Sequence, residues 1–403
     1  MMKVIFKLLS SICVAIICLL ALTRTEGYAG ETRGVTDDTL KIGVILDQTG
    51  PAANVTVPMT DAIKRVFRYA DEQGGIHGRK VKVIVEDDRY AVPMAIAAFK
   101  KLLYRDNILA LIGPSSSTAT LSLLRHMEKE KLPTMPIPPQ ERCVLPLKRY
   151  VFGVYEIYQN TMRTLVDYMV KNLDTTAPRI ALVYPDNETG KLDLDPAIER
   201  LKFHKLTPVT KEILNPGSLD ATSQVMSIKR EKVNNIILCG FIPQPAGLLL
   251  RELKKFGMNV PVFANVAAAS EEVIHMAAVG AEKYYVISIW ASWYDEGEGI
   301  ALMRKVTLKY APGTEKPYRG KIHTGAWIWA TVLKEGLLRA GRDIDGERLV
   351  TALETLKDFD MKGLCGPINF NSTNHKGMSS GQISKADPAS GKFIPVTGWI
   401  KTD

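Results

Sequence analysis

Apolar and polar positions along the chain fall into two rhythms that take turns. Leu40–Leu46 (LKIGVIL) is short, branched and apolar, as a parallel strand covered on both faces must be. Met59, Ala62, Ile63, Val66, Phe67 and Ala70 follow, and their three and four spacing makes one apolar stripe on a helix. Glycines in EQGGIHGRK (72–80) stop that helix, and VKVIVEDD (81–88) is the next strand. A helix over 94–104, the strand ILALIG (108–113), a helix over 115–130 and the short strand LPTMPIP (132–138) continue the pattern. Strand and helix in alternation predict an α/β fold with parallel strands and helices on both faces. Right-handed crossovers then wind the sheet doubly.

The rhythm restarts after RYVFGVY (149–155). Helices are expected over 158–173, 195–206, 218–232, 245–257 and 270–280, and strands at 179–186, 209–214, 234–241, 260–265 and 284–290. No Gly/Ser linker separates the two units, so they read as two lobes of one molecule. The tail is helical at 299–311, 324–341 and 346–356. It closes with strands GPINF (366–370) and FIPVTGWI (393–400) around a polar hairpin. These elements must pack back on the lobes, so the chain is expected to cross between them several times.

The first residues belong to another category. Lys3 and Lys7 precede an uncharged run from Leu8 to Leu22, with small residues at Gly27 and Ala29. Residues 1–29 therefore read as a secretory signal cut after Ala29. The apolar run falls short of the about 20 residues a membrane span needs, an uncleaved anchor being the alternative. Cys13 and Cys18 each follow an isoleucine, where a lipid-attachment site has a small residue. The rest of the chain is expected to be soluble and exported to the periplasm.

The full chain of 403 residues carries a formal charge of +9. Residues 1–29 hold Lys3, Lys7, Arg24 and Glu26, so their removal takes away +2 and leaves +7. The basic residues are scattered rather than gathered on one stretch, which argues against a nucleic-acid partner. Three cysteines remain, Cys143, Cys239 and Cys365, none in a C-x-x-C pair. Export permits one disulfide, with one thiol over. Cys239 lies in the apolar NNIILCG and reads as plain burial. The six histidines are isolated, and no G-x-S-x-G, H-E-x-x-H or phosphate loop is present. No enzyme activity, metal or cofactor is expected. In VEDDR (85–89) adjacent carboxylates at a strand end point to opposite faces, which disfavours a catalytic pair.

LALIGPSSSTAT (109–120) places Ser115, Ser116 and Ser117 where a buried strand gives way to a helix. Hydroxyls, free backbone N–H groups and the positive helix end together suit a carboxylate. The alternative is that one serine caps the helix.

Taken in order, LKIGVILDQTGPAA, EQGGIHGRKVKVIVEDD, ALIGPSSS, KLPTMPIPP, RYVFGV, KDFDMKGLCGPINFN and GKFIPV resemble the leucine/isoleucine/valine-binding protein family. These are the type I periplasmic binding proteins of branched-chain amino acid ABC transporters. The resemblance covers nearly all of the chain after the signal. It implies two α/β lobes joined by three crossover strands, with a ligand in the cleft between them. Crossings are expected near Phe152–Tyr155, Ile289–Ala291 and Met361–Leu364. The N-terminal lobe would hold 36–154 plus 291–361, and the C-terminal lobe 155–290 plus 362–403. The partners implied are a small-molecule ligand, a carboxylate or amino acid, and an ABC transporter permease. A monomer is expected.

Residue by residue, the resemblance puts the ligand carboxylate at Ser115–Ser117. The loop after the next strand offers Gln140 and Glu141 where the family carries a small residue and a threonine, with Arg142 beside them. Arg142 is expected to pair with Glu141 on the surface or to help hold an acidic ligand. In the second lobe the family aromatic is replaced by Thr189 before Gly190, and is matched at Phe241. The loop that carries an acid for the α-ammonium in amino-acid binders reads ANVAAAS, with Asn265 near its start and no acid until Glu271. A buried ammonium without a counter-charge is costly. Either Glu141 supplies that charge or the ligand is a carboxylate without an ammonium, which is the expectation adopted. Tyr155, Trp290 and Trp293 lie near the crossings and would stack on a flat ligand or pack at the lobe interface. A ligand-sensing receptor module is the other functional reading.

Overall fold

The computed structural model describes residues 32–138, 140–312 and 320–402. The signal segment expected over residues 1–29 lies outside them. The first half runs β1 (Thr39–Ile45), α1 (Ala53–Glu72), β2 (Lys80–Glu86), α2 (Val92–Lys100), β3 (Ala110–Ile112), α3 (Ser117–Lys129), β4 (Thr134–Met135) and a single turn α4 (Glu141–Val144). Its strands form a parallel sheet in the order β2-β1-β3-β4. Helix α1 buries Met59, Ala62, Ile63, Val66, Phe67 and Ala70, the stripe that its spacing predicts.

The second half runs α5 (Tyr158–Lys171), β5 (Ile180–Tyr184), α6 (Glu188–Phe203), β6 (Thr210–Ile213), α7 (Thr222–Arg230), β7 (Asn235–Leu238), α8 (Pro243–Lys255), β8 (Val262–Ala264), α9 (Glu271–Ala277) and β9 (Tyr284–Ser288). Helices α10 (Glu298–Tyr310), α11 (Lys321–Arg339) and α12 (Gly346–Leu353) follow, then β10 (Ser380–Asp387), β11 (Lys392–Pro395) and β12 (Ile400–Lys401). The second sheet has the order β11-β10-β9-β8-β7-β5-β6. Strands β5 to β9 are parallel, and β10, β11 and β12 add an antiparallel edge.

One correction concerns the tail. Residues 366–370 make only an isolated bridge, Phe359 to Ile368, and the long strand is β10, inside the stretch read as a polar hairpin. SGQISKAD is polar because the strand alternates buried and half-buried positions, so its apolar content is low although it is paired on both sides. Helices α10 and α11 pack on α1, and α12 packs on α11, so the chain returns to the first sheet before ending in the second. It therefore passes between the sheets three times, over 150–157, 289–297 and 354–379.

These passes are tied to one another. Gly153 N–H donates to His375 O (2.9 Å), Gly377 N–H to Gly153 O (2.8 Å), and Ala291 N–H to Leu364 O (2.8 Å). One apolar cluster runs from Ile42 and Val44 of β1, through Phe152, Val154, Trp290 and Leu364, to Ile180 and Leu182 of β5. Inside it sits a charged knot. The fully buried Glu156 accepts from Lys376 Nζ (2.7 and 2.8 Å), the Ile157 N–H (2.8 Å), the Asn160 amide (3.1 Å) and the Thr402 hydroxyl. Lys376→Met would strand that carboxylate, at a cost of about 3–5 kcal/mol. Lys191→Met breaks the solvent-exposed pair with Asp186 and costs under about 1 kcal/mol. Urea denaturation of the two variants checks this contrast.

Candidate functional site

The C-terminal ends of the first sheet's strands meet around two buried carboxylates. Asp47, after β1, accepts from the backbone N–H groups of Thr49 (3.2 Å), Gly50 (2.5 Å) and Ala52 (2.7 Å), which sets the turn into α1. Asp88, after β2, accepts from the Ser115 N–H (3.0 Å), the Ser115 hydroxyl (2.9 Å) and the Tyr90 N–H (3.0 Å). Burial pushes the Asp88 carboxyl above the usual range against these bonds, and nearby Asp47 adds to the push. Gly113 has φ +116°, and a Cβ there would stand 2.2 Å from Ile45 O, so glycine lets this loop lie against β1.

The hydroxyls of the serine run divide their labour. Ser115 gives both its donors to Asp88 and accepts the Asp47 N–H (2.6 Å). Ser116 caps α3, its Oγ accepting the Ala119 N–H (3.1 Å). Ser117, half-buried, opens the helix, where the first amides have no intrahelical acceptor and the dipole is positive. Anion-binding capacity therefore rests on Ser117 and this first turn.

Gln140 follows β4 and is 1 % exposed, and neither end of its side-chain amide has a hydrogen-bond partner. A buried, unbonded amide costs about 1–3 kcal/mol, which a bound group would recover. Glu141 begins α4 and is half-buried. Arg142 pairs not with Glu141, the expected partner, but with Glu188 at the start of α6 (3.4 Å). The consecutive residues 141 and 142 point apart, and this ion pair spans from the first half of the chain to the second.

Facing them is the C-terminal edge of the second sheet. Asn187 caps α6 by accepting the Gly190 N–H (2.9 Å). Thr189 lies in the first turn, its carbonyl 2.5 Å from where a Cβ on Gly240 (φ +69°) would stand. One turn on, Asp193 is 2 % exposed and accepts from the Gly240 N–H (2.7 Å) and the Asn265 amide (2.7 Å). Burial raises its pKa to about 7 against those two hydrogen bonds. Asn265 is held from three sides, since it also donates to Tyr158 O (3.1 Å) and accepts the Val266 N–H (2.9 Å). The Tyr158 phenol is pushed far up by burial, then by Asp193 and by Tyr90 from the opposite side.

The aromatic candidates are packed rather than open. Trp290 is 6 % exposed and tilts against Trp329 (5.5 Å between centroids), above Gly325 of α11. Trp293 sits edge-on to His323 (5.7 Å). Phe241 belongs to the apolar cluster between the second sheet and α8. Tyr155 is fully buried, and burial and the Cys143 thiol raise its pKa. Cys143, Cys239 and Cys365 are free and buried, and burial lifts Cys143 to about 12. Among the described residues no cluster of His, Cys, Asp or Glu is arranged to hold a metal ion, and no helix is long and apolar enough to cross a membrane. Two surface hollows lie away from this edge. One of about 380 Å³ is lined by α5 and Lys401, and one of about 210 Å³ by α11 and 359–362.

A periplasmic binding protein family model matches residues 39–392. The chain belongs to the periplasmic binding protein family. This binding protein is 23% identical to a Leu/Ile/Val-binding protein of Rhizobium johnstonii over 79% of this chain and 84% of that one. It is 20% identical to a Leu/Ile/Val-binding protein of Escherichia coli K12 over 82% and 86%. The fold is that of a branched-chain amino acid ABC transporter protein of Thermus thermophilus with bound valine (TM-score 0.82, 20% identity, 91% of this chain and 97% of that one). It is equally that of a fatty acid ABC transporter substrate-binding protein of Thermomonospora curvata (TM-score 0.81, 22%, 92% and 94%). These relatives carry the names of binding and transport proteins.

Sequence reasoning passed over Asp47, Tyr158 and Asp193, and weighed Asp88 only as part of a catalytic pair. The signal for Asp193 was its position four residues after Thr189, which puts both on one helix face. In the binding protein its raised pKa carries a stability signature. The unfolded Asp ionises near pH 4, whereas the folded one stays protonated to about pH 7. Stability should therefore fall as pH rises from about 4 to 7, by up to about 1.4 kcal/mol per unit from this group. Asp193→Asn should flatten that slope, as measured by urea unfolding across the window.

Proposed function

We propose that the protein is an exported solute-binding protein that captures a small, partly apolar carboxylate or amino acid between its lobes and delivers it to an ABC transporter permease. One observation carries this reading: the buried amide of Gln140, without a partner, lies with the Ser117 end of α3 at the edge where α/β sheets bind ligands. The Arg142–Glu188 pair supports a closed arrangement, since it joins the two sides across that edge. The relatives' names supply the shared chemistry, because valine and a fatty acid both carry a carboxylate. The lobes of this reading are 36–154 plus 291–361 and 155–290 plus 362–403, in a periplasmic monomer released from its signal after Ala29.

Thermal unfolding of the purified protein against a panel of aliphatic and aromatic amino acids and simple carboxylic acids tests it. A ligand at about 100 times its Kd adds about 2.7 kcal/mol, or about 3–4 °C for a chain of this size. No shift with any carboxylate overturns the proposal. Gln140→Leu should weaken the best ligand about 5- to 100-fold by calorimetric titration while leaving the unliganded melting temperature unchanged or higher.

A further inference from the structure

We infer that the hollow between α5 and the end of the chain is a second binding site, away from the cleft edge, built for a phosphate monoester. The function proposed above neither requires it nor depends on it.

The site starts from a helical spacing. Arg163, Asp167 and Lys171 stand four residues apart on α5, so they share one face of it. Arg200 of α6 and Thr397, Ile400 and Lys401 near the end of the chain close the other sides of a hollow of about 380 Å³. Four cations and one acid line it. The acid is spent within the protein. Arg200 grips Asp167 through Nε to Oδ1 and Nη2 to Oδ2 (2.6 Å each), and the His204 ring lies 2.6 Å from Oδ1. Asp167 and Arg200 cancel, which leaves the charges of Arg163, Lys171 and Lys401. Glu199 meets Arg163 (3.3 Å) but is exposed and lies outside the hollow. Among the described residues no acid forms an ion pair with Lys171. Lys171 also complements the negative end of α5, a role that needs one cation and no hollow.

The lining selects for a kind of anion. Thr397 Oγ1 accepts the Ile383 N–H (3.0 Å), which leaves its own hydrogen for another acceptor. Several cations with a hydroxyl donor call for a group with more than one negative charge and several accepting oxygens. A phosphate monoester carries nearly two charges and three free oxygens at neutral pH, whereas a carboxylate carries one charge and two oxygens. The volume is that of a small-molecule site, and half-buried Tyr168 and Ile400 offer an apolar wall to the organic part of the ester. The hollow also backs onto the charged knot at the crossings. Arg163 donates to Asn160 Oδ1 (3.2 Å), the Asn160 amide donates to Glu156 (3.1 Å), and Thr402, next to Lys401, donates to the same carboxylate. An anion held by α5 and β12 together therefore pins the two elements that hold Glu156.

Calorimetric titration and thermal unfolding of the purified protein with ribose 5-phosphate and glycerol 3-phosphate test this, with unphosphorylated ribose and glycerol beside them. A phosphate ester should bind, raise the melting temperature and lose affinity as salt rises, and the parent alcohols should do none of these. Lys171→Gln combined with Lys401→Gln should weaken the ester at least about 10-fold. Lys82→Gln combined with Lys254→Gln removes the same charge from exposed positions elsewhere and should leave ester binding unchanged. Co-sedimentation with phosphatidylcholine vesicles containing phosphatidic acid separates a lipid headgroup from a free solute. Vesicle binding that the Lys171 and Lys401 changes abolish assigns the site to a lipid phosphate. Ester binding without vesicle binding assigns it to a solute. Failure of both esters and of the vesicles to bind overturns the inference. So does an equal response to inorganic sulfate, or an equal loss in the two double variants.

Discussion

The carboxylate of Glu156 is buried where the first crossing segment leaves for the second lobe, and Lys376 from the third crossing segment neutralises it. A buried charge of this kind tolerates little displacement, because a lost partner leaves several kcal/mol of desolvation uncompensated. The pair therefore clamps two of the three passes together, and Thr402 brings in the chain's end. The third contact, Ala291 to Leu364, fastens the second pass to the last. With the passes held, the C-terminal edges of two parallel sheets are brought face to face, and the cleft is a consequence of that arrangement.

The two edges are built differently. On the first, Asp47 and Asp88 are consumed by backbone amides and by Ser115, so their charge organises loops. On the second, Asp193 is held by two neutral donors and keeps capacity for a third partner. Arg142 and Glu188 join the edges at an exposed position, where an ion pair contributes little to stability. It contrasts with the buried pair at the crossings, where a lost partner is costly.

Much of the fold was legible because buried parallel strands are short apolar runs and their helices carry a 3.6-residue stripe. Both patterns survive without any knowledge of neighbours, as the stripe of α1 and the run of β1 illustrate. Strand β10 was not legible, since an antiparallel strand with alternating half-buried positions needs no apolar run. The site was legible only in outline. The serine run marked a polar strand end, yet which serine caps, which braces and which opens the helix depends on Asp88 and Asp47, far off in sequence. Trp290 looked equally suited to a ligand or to a core, and Trp329 with Gly325 decided for the core. Asp193 sat among the charges of α6, and only the loops at Gly240 and Asn265 distinguish it from its solvated neighbours.

By itself the sequence determined a two-lobed α/β chain with repeated crossings, because periodicity and strand composition are local properties of the polymer. It also marked the loop between β3 and α3 as a polar strand end. Tertiary structure alone decided which polar groups there are spent and which remain open, since hydrogen bonding and desolvation depend on what the fold brings within about 3 Å. That is why the capping role of Ser116 and the bracing role of Ser115 are decided by the fold and not by the serine run itself.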